Sequence, residues 1–466
     1  MKPSSGKCLK RVILVLAALC AGLFAPAAQA RDWVGHGGPV KSVAISPDGA
    51  HALSGSFDYS MIYWDISKEN PEVVTRFDDH EAAVNSVAFL PGGKRAITAS
   101  DDGNVALWDL QNGKLIKRFN GHTHKVVKIA LSSDGGKAVS AAWDRTARIW
   151  NLNEQTAGPV LKGHSNTIND AAFSQSGKFV FTAGYDGAIR QWHTDDGSLE
   201  RIIYKHGWGV NVLRVLPGDK EILFGTLDGF VGVLDIFRGE VTTILRPYER
   251  PVLSLVVDPA LDMAAVGGGD GRITVWELST WREKYVHENP YGPVWALAFA
   301  KDGKHVYYAG LDDNVHHWQL EPLKPFELAK GQIPRRFQLK DGIGLGARQF
   351  ARKCSVCHTL TAEGANRAGP TLYKLFGRKV GTVKGYNYSP ALTGKNFEWN
   401  EETIGQLFAI GPENFAPGTK MPLQKMSNAK ERNALIAFLK KASETGKPAE
   451  DAYTRFGHIE SLGGSQ

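Results

Sequence analysis

Along the middle of the chain apolar and polar residues alternate in short runs, of which Val84-Asn85-Ser86-Val87-Ala88-Phe89 is typical, and turn clusters such as Pro91-Gly92-Gly93 separate them. Period-two alternation bounded by glycine and proline predicts β-strands, with no helical pattern between them. The runs themselves repeat. Tryptophan or a substitute falls at Trp64, Trp108, Trp150, Trp192, Leu234, Trp276 and Trp318, a step of 44 and then of 42 each time. Six residues before each stands Asp58, Asp102, Asp144, Asp186, Asp228, Asp270 or Asp312, and 24 before each stands Val40, Val84, Val126, Ile168, Val210, Val252 or Val294. The first five units also open on a histidine: His36, His80, His122, His164 and His206. Units of this length that repeat must bury their faces on one another. Seven of them, each with four short strands, predict a closed ring whose last outer strand comes from Arg31 to Val34 or from Pro325 to Leu328.

Both periodicities stop at Glu321-Pro322-Leu323-Lys324-Pro325 and Ile333-Pro334-Arg335-Arg336, which places a domain boundary near residue 335. Beyond it the apolar residues recur at helical spacing. Ile343, Ala347, Phe350 and Ala351 form one stripe, and Ala434, Leu435, Phe438 and Leu439 form another that can pack on the first.

The first stripe leads into Cys354-Ser355-Val356-Cys357-His358. Helical residues at i, i+3 and i+4 share a face, so one turn brings two thiols and an imidazole together. This is the spacing that attaches c-type haem. Half of a zinc site and a redox dithiol are the competing readings. A zinc site needs a second pair of soft ligands, and the only other cysteines, Cys8 and Cys20, fall in the first thirty residues. The reading is one covalent haem c, tethered by Cys354 and Cys357 and ligated by His358.

Residues 1–30 have the form of an export signal: Lys2, Lys7, Lys10 and Arg11, then the apolar run Val12 to Phe24, then the small-x-small site Ala28-Gln29-Ala30. The run is short for a membrane span, and no later one approaches the required length. Export together with covalent haem predicts a periplasmic location. The formal charge of +7 is uneven: the leader carries +4, the part from Lys340 onward +7, and the residues between −4. A balance concentrated at the two ends gives no case for nucleic acid.

The Gly-His openings, the aspartate turns and the Trp64-Asp65 and Trp108-Asp109 ends resemble the WD-repeat family over about residues 32 to 330, which implies a β-propeller. Later units depart from the pattern at Trp150-Asn151, Trp192-His193, Leu234-Asp235, Trp276-Glu277 and Trp318-Gln319, and Tyr248 and Pro290 replace the histidine. The resemblance implies that the repeated His and Asp side chains hydrogen-bond inside each blade. Repetition argues the same way, since an active site is needed only once. His316-His317 reads as two faces of one strand rather than a metal pair. The resemblance also implies a rim offered to a partner, on which Phe57, Trp143, Tyr185 and Trp295 would form a docking patch.

From Gly346 to about Ser443 the chain resembles the mitochondrial-type class I cytochromes c. Gly346 and Phe350 match one side of that family's helix crossing, Leu435 and Phe438 the other. The match implies that the Pro370 carbonyl orients His358. Arg378, Tyr386, Tyr388 and Trp399 fall in segments that hold the haem propionates. Pro417-Gly418-Thr419-Lys420-Met421-Pro422 resembles the loop carrying the sixth ligand, Met421; Met426, five residues on, lacks the Pro-Gly loop. A thioether opposite the imidazole favours Fe(II) and suits a carrier. Phe408 stands for an expected tyrosine and Leu392 for an asparagine, Glu413 and Asn414 replace docking lysines, and Lys353 and Lys420 are retained.

The expectation is an all-β seven-bladed WD-repeat propeller at residues 31–334, followed by an all-α class I cytochrome c domain with a C-terminal tail at 335–466. Functionally this is an exported electron-transfer protein whose propeller docks redox partners, rather than a substrate-converting enzyme. The alternative is an oxidoreductase whose propeller bears a substrate or second-cofactor site while the haem relays electrons; a haem redox sensor on a propeller scaffold is a third reading.

Overall fold

A computed structural model describes residues 32–321, 344–355, 357–361, 369–386, 388–419, 421 and 425–445, apart from the side chains of Arg352 and Glu413. The leader, the boundary near 335, Pro325 to Leu328, Ile343, Lys420 and the C-terminal tail lie outside the described residues.

The alternating runs form seven antiparallel four-stranded sheets. In the first blade the strands run from the ring axis outward as Val40–Ile45, His51–Ser56, Met61–Asp65 and Glu72–Phe77. The second is buried almost throughout, because neighbouring blades cover both its faces, whereas the outermost is largely exposed. The innermost strand packs against its counterparts Val84–Phe89 on one side and Val294–Phe299 on the other, so the ring is continuous.

The repeated β-branched residue has a mechanical role. In all seven blades the register between the two inner strands slips immediately after it, from Val40/Ser42 in the first to Val294/Ala296 in the last. Such a bulge leaves one residue unpaired and bends the strand. The β-branched side chain itself is completely buried in every blade. Where the freed residue is asparagine it clips one blade to the next: the Asn85, Asn169 and Asn211 amides donate to the carbonyls of Val126, Val210 and Val252 at 2.9, 3.0 and 2.7 Å.

The front of the chain closes the ring. Trp33 and Val34 pair with Val315 and Asn314 on the last blade, and the Trp33 ring is buried 4.7 Å from Tyr307 and 5.8 Å from Trp64. Asp32 adds a 2.7 Å bond to His316 Nδ1, whose Nε2 meets Asp312 at 2.6 Å. His316 thus belongs to the closure rather than to a metal pair, and the His317 ring lies beside His305.

The C-terminal domain contains α1 (Leu345–Lys353), α2 (Pro390–Thr393), α3 (Glu401–Ile410), α4 (Pro412–Phe415) and α5 (Ala429–Thr445). Where α1 crosses α5, a Cβ on Gly346 would lie 2.1 Å from the Ala434 carbonyl, so only glycine admits this approach. The Phe350 and Phe438 rings meet at 5.6 Å, over a core that includes Leu435, Leu439, Ile404 and Phe408. Asn400 starts α3 through a reciprocal cap with Thr403, both bonds at 2.8 Å.

Candidate haem site

At the end of α1 the chain keeps turning: the His358 amide donates to the Cys354 carbonyl at 2.9 Å and that of Cys357 to the same oxygen at 3.0 Å. The two thiols and the imidazole therefore border one cleft, as their spacing predicts. His358 Nδ1 lies 2.7 Å from the Pro370 carbonyl oxygen. A carbonyl only accepts, so Nδ1 carries the proton, and this bond fixes the ring's tautomer and orientation. Gly369, next to that proline, is required by the ring itself, since a Cβ there would come within 2.2 Å of it.

The same cleft is lined by Met421, Arg378, Tyr386, Tyr388, Trp399, Leu392 and Phe408. The Arg378 guanidinium is held at the wall by the carbonyls of Tyr373 and Thr371, at 2.8 and 2.9 Å. Tyr386 meets Tyr388 edge to face at 4.7 Å, and Trp399 is braced by stacking on Phe415. Met426 faces elsewhere. It is buried in the core, with its amide donating to the Phe408 carbonyl at 2.7 Å. Burial, helped by the neighbouring Cys357 and opposed by Lys353, pushes the Cys354 thiol up to about 12, so it is protonated at neutral pH.

This donor set fits a covalently held haem: two thiols, an imidazole oriented through its far nitrogen, a thioether, apolar walls and one anchored guanidinium. Among the described residues no group of three or more His, Cys, Asp and Glu side chains could hold a bare metal ion. Of the docking lysines, Lys353 is half-buried, and the Asn414 amide donates to the Ile410 carbonyl at 2.9 Å, where it serves the end of α3.

The propeller's histidines are engaged inside their blades. His122 Nδ1 pairs with Asp144 at 2.8 Å and its Nε2 with Ser140 at 2.7 Å, while the Trp150 indole donates to the same hydroxyl at 2.8 Å. The blades of His36, His80 and His164 repeat this set.

The expected rim patch divides. Phe57 and Trp295 pack together at 5.9 Å, with the Lys41 ammonium 5.6 and 4.3 Å from their ring centres, and are half-buried. Trp143 and Tyr185 are 45% and 55% exposed. Sequence reasoning missed Trp208, 63% exposed, on a loop so close to Tyr185 that a Cβ on Gly209 would lie 3.0 Å from that residue's Cα. Its signal was the two glycines flanking a lone tryptophan at a turn. It also missed Tyr59, which lines the cleft from the propeller's first blade.

Comparison with known proteins agrees with both halves. The model of the WD domain, G-beta repeat, matches residues 28–65, 71–109, 113–151, 156–193 and 282–319. It passes over 194–281, where Leu234 and Tyr248 replace the usual partners, although the structure forms two further blades there. The cytochrome c model matches residues 343–443. Cytochromes c of Gibberella zeae, Cochliobolus lunatus and Arabidopsis thaliana are 42%, 42% and 41% identical over 99 residues, which is 21% of this chain and 92%, 91% and 88% of theirs. Haem-based electron transfer follows from the second half and protein interaction from the first. The chain belongs to the cytochrome c family through its C-terminal domain, which it carries behind a seven-bladed propeller of WD40 repeats.

Proposed function

We propose that the protein is an exported, periplasmic electron carrier with a single haem c, tethered through Cys354 and Cys357 and ligated by His358 and Met421, and that the propeller positions its redox partner. When bound, the haem supplies one-electron chemistry, cycling between Fe(III) and Fe(II). The chain's residues do the remainder. Pro370 sets the imidazole, Arg378 and the tyrosines offer polar partners to the haem's acidic edge, and apolar walls exclude water.

The observation that carries this reading is that Met421, and not Met426, borders the cleft that holds the Pro370-oriented His358. A sulfur ligand leaves no open coordination position for substrate, which favours a carrier over a catalyst at the iron. The exposed Trp143, Tyr185 and Trp208 supply rigid apolar area of the kind that anchors partners. Their rim belongs to an acidic region and the haem domain is basic, so charge can orient the encounter. The leader supports the location.

The test is Met421→Ala in the full, matured protein. Loss of the sulfur-to-iron absorption band with haem still covalently bound is expected. An intact band would remove Met421 from the iron, and a colourless wild-type protein would end the proposal.

A further inference from the structure

The hairpin turn of the first blade differs from those of most of its sisters. After the turn aspartate, blades two, four, five and six have glycine at positive φ: Gly103 at 82°, Gly187 at 75°, Gly229 at 89° and Gly271 at 90°. The third blade holds Arg145 there at 67° and the first holds Tyr59 at 71°; Arg145 is exposed to solvent, whereas Tyr59 is not. A left-handed backbone crowds any side chain that has a Cβ, and a bulky residue kept in it is an outlier that points toward function.

The surroundings of the ring supply that function. A tyrosine at the tip of a rim hairpin would ordinarily be solvated, yet Tyr59 is only 9% exposed. Its ring borders the haem cleft together with Cys357, His358, Tyr386, Tyr388 and Met421. All other lining residues lie between Cys354 and Leu439, so Tyr59 enters this cleft from outside. Burial raises its phenol well above the ordinary range, with Cys357 and Tyr386 the next contributors, which agrees with a position inside the mouth.

We infer that the haem site is composite: the propeller's first blade inserts Tyr59 into the mouth of the cleft and covers the haem beside Cys357, so the propeller governs what reaches the haem. This rests on the haem reading above and assigns the propeller a second role besides docking. It also gives the strained turn a purpose, since glycine would relieve the backbone but leave the mouth open.

The experiment uses the full-length, haem-loaded protein with Tyr59→Gly and Tyr59→Phe. Glycine suits this backbone, as four sister blades show, so Tyr59→Gly keeps the fold. Reduction of the ferric protein by ascorbate should be at least about threefold faster in Tyr59→Gly, with a lower midpoint potential because water then reaches the charged ferric haem. Tyr59→Phe, which keeps the ring, should match wild type in both. If Tyr59→Gly has wild-type rate and potential while the sulfur-to-iron band is intact, the composite cleft is wrong and the proposed function stands. A wild type without covalent haem would end both.

Discussion

Histidine is used in two ways in the two domains. In the propeller, His122 has both ring nitrogens bound within one blade, to Asp144 and Ser140, and the first, second and fourth blades repeat this, whereas His206 in the fifth meets Asp228 through Nε2. In the cytochrome domain, His358 Nδ1 is bound to a backbone carbonyl, and the residue borders a cleft. A carboxylate on one nitrogen and a hydroxyl on the other make the first kind a strut inside its blade. A neutral carbonyl orients the second toward the cleft. Burial does not separate a structural from a functional histidine; the partner on the far nitrogen does.

Substitution at the two positions should part the two uses completely. His358→Ala is expected to abolish the low-spin haem spectrum while leaving propeller unfolding unchanged. Tryptophan fluorescence suits the second measurement, because eleven of the twelve tryptophans precede residue 319. A retained low-spin spectrum would break the comparison. His122→Ala should do the reverse. Burial acts to raise Asp144, but bonds from His122 and Thr146 outweigh it and hold the carboxyl well below its usual range. Removing the imidazole takes one bond from that carboxylate, which keeps those from Thr123 and Thr146, at a cost of about 2 kcal/mol, with no spectral change. A loss of haem in His122→Ala would blur the distinction.

A smaller, pH-dependent effect should come from His316, the strut at the ring closure. Burial opposes its charged form, but hydrogen bonds and charge from Asp312 and Asp32 outweigh that and raise it to about 10, from an ordinary 6.5. Its stabilisation is therefore complete below pH 6.5 and is lost as pH rises through 10. The melting temperature followed by tryptophan fluorescence should fall over that interval, and His316→Gln should flatten the fall. An equal slope in both proteins would place the titrating group elsewhere.

Much of this was legible in the sequence because it is local or repeated. The aspartate-to-tryptophan spacing reports a hairpin of fixed length. The β-branched residue reports a bulge that every blade needs, and Cys354 to His358 needs only one turn of helix. The front strand escaped a decision because it is two residues long and its partner lies 284 residues away at the Asp32–His316 bond. Two residues carry no periodicity with which to rank it against Pro325 to Leu328. The fifth and sixth blades show the opposite limit: with Leu234 for tryptophan and Tyr248 for histidine they keep the sheet, because buried alternating strands, rather than the polar network, define it. Tyr59 was invisible for a different reason. Nothing near it in sequence refers to the cleft, and its role depends on two domains meeting.

Fastening the circle with residues from the front also sets a timetable. Trp33 and Val34 form the chain's first strand and have no docking strand until Asn314 to Gln319 is in place. Until Trp33 and Val34 pair, the Asn314–Gln319 edge of the last sheet is bare and open to strands of other molecules. The Cys-x-x-Cys-His segment follows this last strand closely in the chain, so the clasp and the redox centre are built from neighbouring stretches.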